Sequence, residues 1–156
     1  RTPNGAKIFS LLKMIHVESY LKENCKLSII DQIVLKYQDR YLRKKVLNSK
    51  KNKIFINFKT AVYLSHNSYL ITNDDKAIQV IAKKEKIIEI NINNPVKGCE
   101  VAWHIGNRHI AAEVGKKSIC ILFDPVIWKM LIKLGYQVNK INKIFEPLGG
   151  AYDHKH

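Results

Sequence analysis

The hydrophobic and polar positions divide the chain into a strand-rich first half and a mixed second half. Alternation with a period of two, which predicts strands with one buried face, is imperfect in LSIIDQIVLKY and clear in IFINFKTAVYL. Residues 69–90 contain two strand-like runs that a turn cluster, Asn73-Asp74-Asp75, divides. The first half is therefore predicted to be a small all-β domain.

Helical signals begin after Asn93-Asn94-Pro95. Pro95 suits the first turn of a helix that Val96 to His104 can continue, and Gly106 and Asn107 tolerate a left-handed backbone at its end. Asp124 and Pro125 predict the start of a second helix, which ends at Gly135. The predicted strands of this half are KIIEI, His109 to Val114, SICILF and KINKIF, with a turn at Gly115-Lys116-Lys117.

This order of elements, β-α-β-β-α-β, is the ferredoxin-like one. The predicted fold class is therefore α+β, with an N-terminal all-β domain, a ferredoxin-like domain and a short flexible C-terminal tail. The expected ranges are an extension or disordered arm at 1–13, the β domain at 14–92, the ferredoxin-like domain at 93–146 and a histidine-bearing tail at 147–156.

Charge and cysteine content narrow the classes of function. The chain has 27 basic and 13 acidic residues, a net charge of +14, and a domain this basic could bind nucleic acid or an anionic surface. The excess is mostly lysine spread along the chain, so we predict neither a nucleic-acid nor a membrane partner. No apolar run approaches the roughly 20 residues of a membrane span, and the N-terminus lacks a secretory pattern, so we expect a cytoplasmic location. Cys25, Cys99 and Cys120 form no CxxC pair, and Cys120 is expected to be a buried apolar residue.

The candidate chemistry lies in the histidines of two segments. His104 and His109 bracket Gly-Asn-Arg in WHIGNRHI, and His154 and His156 stand in the terminal HKH. Imidazole accepts nickel, copper and zinc, with copper bound most strongly, so ligand type alone does not name the ion. His104, in the last helical turn, could equally cap the helix. His109 offers one imidazole, which holds a divalent ion tightly only if a twofold axis brings a second copy opposite it, so the metal interpretation requires a homodimer.

Three segments of the second half carry a resemblance to a known family. The segments HIGNRHI, ILFDPVIWKMLIKLGYQV and IFEPLGGAYDHKH closely resemble, in order and spacing, the urease accessory nickel metallochaperone family over most of residues 95–156. In the first half, DQIVLKYQDRYLRKKVL and YLSHNSYLITNDDKAIQVIAKKEKI resemble the family more loosely, with Asn67-Ser68 where it tends to have Gly-Asp.

The resemblance implies a non-enzymatic, dimeric carrier of Ni(II), with Zn(II) or Cu(II) as competitors. It implies that His109 of each subunit contributes to a nickel site at the dimer interface and that His154 and His156 complete the coordination or take up extra ions. His104 matches a family histidine with a less clear role in metal binding. The implied partners are the urease maturation GTPase and the urease apoprotein complex, and the first half is implied to bind a protein partner.

Two other functions remain open from the residues alone. A zinc-dependent hydrolase could use His109 and Glu113, which would share one face of a strand. A basic nucleic-acid-binding module could use the concentrated run of positive charge from Arg40 to Lys53 and its neighbouring tyrosines: Arg40, Arg43, Lys44, Lys45, Tyr37 and Tyr41. That run is also typical of an edge strand protected from aggregation.

Overall fold

The computed structural model of the chain describes residues 13–149. In chain order these residues form β1 (Lys13–Leu21), β2 (Ile29–Leu35), a 3-10 turn (Tyr37–Asp39), β3 (Tyr41–Asn48), β4 (Asn52–Tyr63), β5 (Tyr69–Thr72), β6 (Ala77–Ala82), β7 (Lys84–Asn91), α1 (Pro95–Gly106), β8 (Glu113–Val114), β9 (Ser118–Leu122), α2 (Pro125–Lys133) and β10 (Val138–Ile144). The predicted α+β class is confirmed. Most of the expected N-terminal arm and tail lies outside the described residues.

The chain divides into two compact units, 1–81 and 82–156. The first contains a six-stranded sheet in the order β2-β6-β5-β1-β4-β3. Its β1, which the sequence analysis did not identify, lies inside the sheet, parallel to β4 and antiparallel to β5. Ile15 and Val17 of this strand point into the core, so the alternation that makes β1 a strand begins within two residues of the expected arm.

A carboxylate ties the edge strand β2 of the first unit to the turn that joins β3 and β4. The Asp31 side chain accepts hydrogen bonds from the Ser49 hydroxyl, from Asn52 Nδ2 at 2.8 Å and from the backbone N–H of Gln32 at 2.8 Å. Because β2 and β3 are the two edges of the sheet, this carboxylate links one edge to the end of the other. Burial opposes ionisation, but these hydrogen bonds and the charge of Lys51 outweigh it, so the pKa of Asp31 lies below its usual 3.8.

The second unit contains a four-stranded antiparallel sheet in the order β10-β7-β9-β8. Strand β7 pairs with both β9 and β10, so it belongs to this unit. The boundary between the two units therefore lies between residues 81 and 82, about ten residues before the boundary expected near residue 92. The physical reason is that the turn after β7, at Asn93-Asn94, is the start of a helix and not a linker between units.

The two faces of the second sheet differ in chemistry. The face covered by the helices contributes Ile88, Ile90, Ile119 and Ile121 to a core that includes Val101, Ile105 and Leu131. The residues that alternate with these isoleucines point to the other face. Directly opposed residues of an antiparallel pair share a face, so the register shows which residues lie together there. That set includes Lys143 opposite Glu85, Glu89 opposite Cys120, and Cys120 opposite Glu113. One face is therefore an apolar helix-packing surface, and the other, called the charged face below, carries these ionisable side chains beside the buried Ile87 and Cys120.

Both helices of the second unit begin at side-chain caps. The Asn94 side chain accepts from the backbone N–H of Lys97, and Asp124 accepts from the N–H groups of Val126 and Ile127. Each cap precedes a proline, which has no N–H to satisfy. The helix start expected at Asp124-Pro125 is confirmed.

The Asp31 contacts predict an acid-sensitive first unit. A depressed folded-state pKa contributes stability that is present above the unfolded value of 3.8 and is lost as the pH falls through the folded-state value. We expect Asp31→Asn to lower the free energy of unfolding of the first unit by about 1 kcal/mol at pH 7, because hydrogen bonds to a charged acceptor are the stronger ones. The difference should shrink towards zero near pH 2.

Both tryptophans of the chain, Trp103 and Trp128, belong to the second unit, so indole fluorescence follows that unit alone. Denaturation followed by far-ultraviolet circular dichroism and by fluorescence separates the two transitions. Glu18→Gln, at an exposed position of β1, serves as the matched control and should change neither. An Asp31→Asn effect of equal size at pH 2 and pH 7 would contradict the role of the ionised carboxylate.

Candidate metal-binding site

Both helices of the second unit end in the same hydrogen-bond pattern, but with different residues at its left-handed position. After α2, the N–H of Gly135 bonds to Ile132 O at 2.9 Å and that of Tyr136 to Leu131 O at 3.1 Å. After α1, the N–H of His109 bonds to Gly106 O at 2.9 Å and that of Ile110 to Ile105 O at 3.4 Å. Each is a Schellman motif, and the left-handed residues are Gly135, with φ of 80°, and His109, with φ of 52°.

His109 therefore stands where a helix end favours glycine. A left-handed backbone costs a residue with a Cβ atom roughly 1–2 kcal/mol relative to the right-handed form. Ile110, the next residue, packs against the core of the second unit, which fixes the turn from its other side. The imidazole is exposed, at the end of a helix whose inner face is buried.

The local structure on both sides of His109 differs from the one predicted from the sequence. Gly106 is the last residue of α1, and Asn107 has a right-handed backbone, so neither provides the left-handed turn. The strand expected from His109 to Val114 is confined to Glu113–Val114. His109 and Glu113 do not share a strand face, and the geometric argument for a zinc-dependent hydrolase is lost.

His104 lies in the last turn of α1, as expected, and faces a groove of about 670 Å³. Its ring makes edge contacts with Trp103, at 5.0 Å between centroids, and with Tyr136, at 6.3 Å. The groove is lined by Lys97, Cys99, Glu100, Trp103, His104, Leu134 and Tyr136. The half-buried His104 ring is thus held by aromatic neighbours, which gives it a packing role that its position in the motif did not reveal.

Glu113 is half-buried and forms its contacts across the sheet. Its side chain is 29% exposed, and its carboxylate accepts from the Lys143 ammonium and, at 3.3 Å, from the backbone N–H of Glu146. The hydrogen bond to Glu113 raises the pKa of Lys143 above its usual 10.5. These residues come from β8 and β10, the two edges of the sheet, so the pair crosses its charged face. Glu85 and Glu89 are four residues apart in β7 and therefore lie on one face, and their spacing was the sequence signal for the charged side chains there.

Of the three cysteines, Cys120 is buried in the sheet, as predicted, and burial raises the pKa of its thiol. Cys99 is exposed at the groove beside His104, and Cys25 is half-buried. The buried Cys120 thiol is therefore a packing residue and no candidate ligand.

The basic run of the first unit is only partly available as a surface. Arg40 is completely buried, with its guanidinium 5.1 Å from the Tyr63 ring centroid and 6.0 Å from that of Tyr37. Lys45 pairs with Asp39 at 2.9 Å, and Lys44 lies over the Phe55 ring. Two of the six residues proposed for nucleic-acid contact, Arg40 and Tyr37, thus pack together within the protein.

Within residues 13–149, no three side chains of His, Cys, Asp or Glu lie close enough to hold one metal ion. His154 and His156 lie outside the described residues. In the same part of the chain, no helix is long and apolar enough to cross a membrane.

Comparison with known proteins gives the class to which these features belong. A sequence model described as "UreE urease accessory protein, C-terminal domain" matches residues 85–156. The chain is 41% identical over 125 residues to "Urease accessory protein UreE 1" of Brucella suis biovar 1, covering 80% of this chain and 77% of that protein. It is 36% identical over 145 residues to "Urease accessory protein UreE" of Rhizobium rhizogenes, covering 92% and 86%.

These relatives are accessory proteins of an enzyme and not enzymes themselves. The chain belongs to the UreE family of urease accessory proteins. The resemblance seen in HIGNRHI and the segments that follow it is thereby confirmed.

The left-handed backbone at His109 predicts that this histidine costs stability. We expect His109→Gly to raise the free energy of unfolding of the second unit by about 1 kcal/mol, because glycine adopts this backbone at no steric cost. Tryptophan fluorescence during urea denaturation measures this unit. His109→Ala, which keeps a Cβ atom, is the matched control and should not stabilise. A His109→Gly variant no more stable than His109→Ala would contradict the predicted strain.

Proposed function

We propose that this protein is a dimeric, non-enzymatic nickel carrier that delivers Ni(II) for assembly of the urease metallocentre. The observation that carries the proposal is His109, an exposed imidazole at a position where glycine would be more stable. Strained backbone is found preferentially where a side chain has a function that outweighs its cost. Membership of a family whose proteins are named urease accessory proteins supports the urease assignment.

The dimer follows from a shortage of ligands. One imidazole does not hold a divalent ion tightly, and the described residues of a single chain offer no cluster of three candidate ligands. A twofold axis through the site would place the same histidine of a second copy opposite the first. The exposed end of α1 leaves room for such an approach, since His109 projects beyond the last helical turn.

The proposed handover is a ligand exchange. The two His109 rings form the fixed part of the site, because each is held by a hydrogen-bonded helix end. His154 and His156 supply further ligands that can dissociate when the ion is passed on. Imidazole ligands also accept Zn(II) and Cu(II), so these ions compete for the same site.

We assign the remaining features on the same basis. The order and antiparallel pairing of the second unit, β10-β7-β9-β8 with two helices on one face, support a ferredoxin-like metal-binding domain. Residues 147–156 are proposed to be the histidine-bearing tail, and the first unit to bind a protein partner. The proposed partners are the urease maturation GTPase and the urease apoprotein complex, in the cytoplasm.

Nickel titration by calorimetry tests the proposal directly. We expect one tight nickel site per two chains, which His109→Gly abolishes while the protein stays folded. His16→Asn, at an exposed histidine of β1, is the matched control and should bind as the unchanged protein does. Binding should weaken as the pH falls, because protons compete for the imidazole nitrogens. Unchanged tight binding in His109→Gly would overturn the proposal.

Removal of residues 153–156 tests the role of the tail. We expect lower nickel affinity or stoichiometry, because His154 and His156 are lost, with an unchanged dimer mass by light scattering. A shortened chain that loses the dimer as well would show that these residues hold the subunits together and do not serve as exchangeable ligands.

A further inference from the structure

The main chain tightens just before His109. In a continuing α-helix the N–H of Arg108 would bond to the carbonyl four residues back, that of His104. It bonds instead to the carbonyl three residues back, that of Ile105, at 3.1 Å. This is a 3-10 step, of the kind that is frequent at helix ends. It leaves the carbonyl of His104 without the main-chain donor that a helix would provide.

The side chain of Arg108 supplies a donor in its place. The guanidinium Nη1 lies 2.8 Å from the carbonyl oxygen of His104. Carbonyls at the C-terminal end of a helix carry partial negative charge, so a hydrogen bond from a guanidinium is of the stronger, charge-assisted kind. The carbonyls on either side, those of Trp103 and Ile105, bond to main-chain N–H groups. In the last turn of α1, a side chain therefore does for His104 what the main chain does for its neighbours.

Helix α2 shows the same turn with glycine at the left-handed position. Leu134 precedes Gly135 there, and its N–H keeps the helical bond, at 3.0 Å to the carbonyl oxygen of Met130. The equivalent carbonyl of α1 is that of His104, which receives the Arg108 side chain. The main chain thus bonds this carbonyl where the turn ends in glycine, and an arginine bonds it where the turn ends in histidine.

Arg108 also lies beside the residues that follow the turn. It lines a groove of about 410 Å³ together with Ile110 and Asp124. Ile110 packs against the core of the second unit, and Asp124 is the N-cap of α2. Asp124 is the acidic member of this lining, so its charge attracts the guanidinium towards the same side of the turn. The arginine therefore adjoins the chain both before and after His109.

We propose that Arg108 is a positioning residue: its guanidinium closes the last turn of α1 and so holds the His109 imidazole in the direction in which it binds Ni(II). This inference rests on the proposed nickel function. It assigns no metal ligation to Arg108, because a guanidinium stays protonated in proteins and has no acceptor with which to coordinate a cation.

The positive charge of Arg108 has the opposite effect on the ion. A guanidinium close to the site repels a divalent cation, so removal of the charge alone would strengthen nickel binding. Loss of the contact with His104 would weaken nickel binding, because the ion would then have to order the turn as it binds. The sign of the change in nickel affinity therefore distinguishes positioning from simple repulsion.

The first test needs no metal. Amide hydrogen exchange, followed by NMR, measures protection of the His109 and Ile110 N–H groups in the full chain. We expect Arg108→Met to lower that protection about fivefold, the factor that corresponds to one hydrogen bond of typical strength. Arg108→Lys, which keeps a charged donor, should restore most of it. The Gly135 amide, at the end of α2, reports whether the unit is still folded. Unchanged protection in Arg108→Met would overturn the contact.

The second test measures nickel affinity by competition with a chelating indicator. We expect Arg108→Met to weaken binding about fivefold and Arg108→Lys to restore it. Lys133→Met, which removes a positive charge from the last turn of α2, is the matched control and should bind as the unchanged protein does. Unchanged or tighter binding in Arg108→Met would overturn the positioning role. Failure of the nickel proposal is distinct, since it is seen as tight binding that survives His109→Gly, whatever the exchange result.

Discussion

The proposed metal site depends on one backbone conformation, the left-handed turn at His109 that follows α1. This turn returns Ile110 to the core of the second unit while it leaves the imidazole in solvent. The helix before it is fixed by the buried residues Val101 and Ile105, so the ring is presented from a rigid support. The comparison within the same unit is informative, because α2 ends in the same motif with the expected glycine, Gly135. A histidine at this position makes the turn less stable than a glycine would, and residues that lower local stability are typical of functional sites.

A carboxylate in each unit links parts of a sheet that strand pairing does not join. Asp31 connects the edge strand β2 to the turn between β3 and β4, and Glu113 meets Lys143 across the charged face of the second sheet. Both are polar contacts at sheet edges, where unpaired backbone is otherwise exposed. In the second unit the Glu113 carboxylate also accepts the backbone N–H of Glu146, so one side chain joins β8 to the chain that follows β10.

The sequence alone predicted those features whose signals lie in neighbouring residues. Asp124-Pro125 and Gly135 marked the ends of α2, and the apolar run around Cys120 marked a buried strand, because caps and buried runs act through neighbouring residues. It was insufficient where long-range pairing decides. The place of β1 inside the first sheet depends on pairing with β4 and β5, which are distant along the chain, and the burial of Arg40 depends on Tyr63. The turn at His109 was misplaced because Gly106 is still helical and Asn107 keeps a right-handed backbone, so the left-handed position falls on His109.

Native mass spectrometry of the full chain titrated with Ni(II) can decide whether two His109 side chains share one ion. We expect the first ion to bind to appear on a species of two chains, with one ion per dimer, and this species to be absent for His109→Gly. A single chain that binds one ion tightly, or a dimer that takes its first ion equally well without the His109 imidazole, would contradict this sharing.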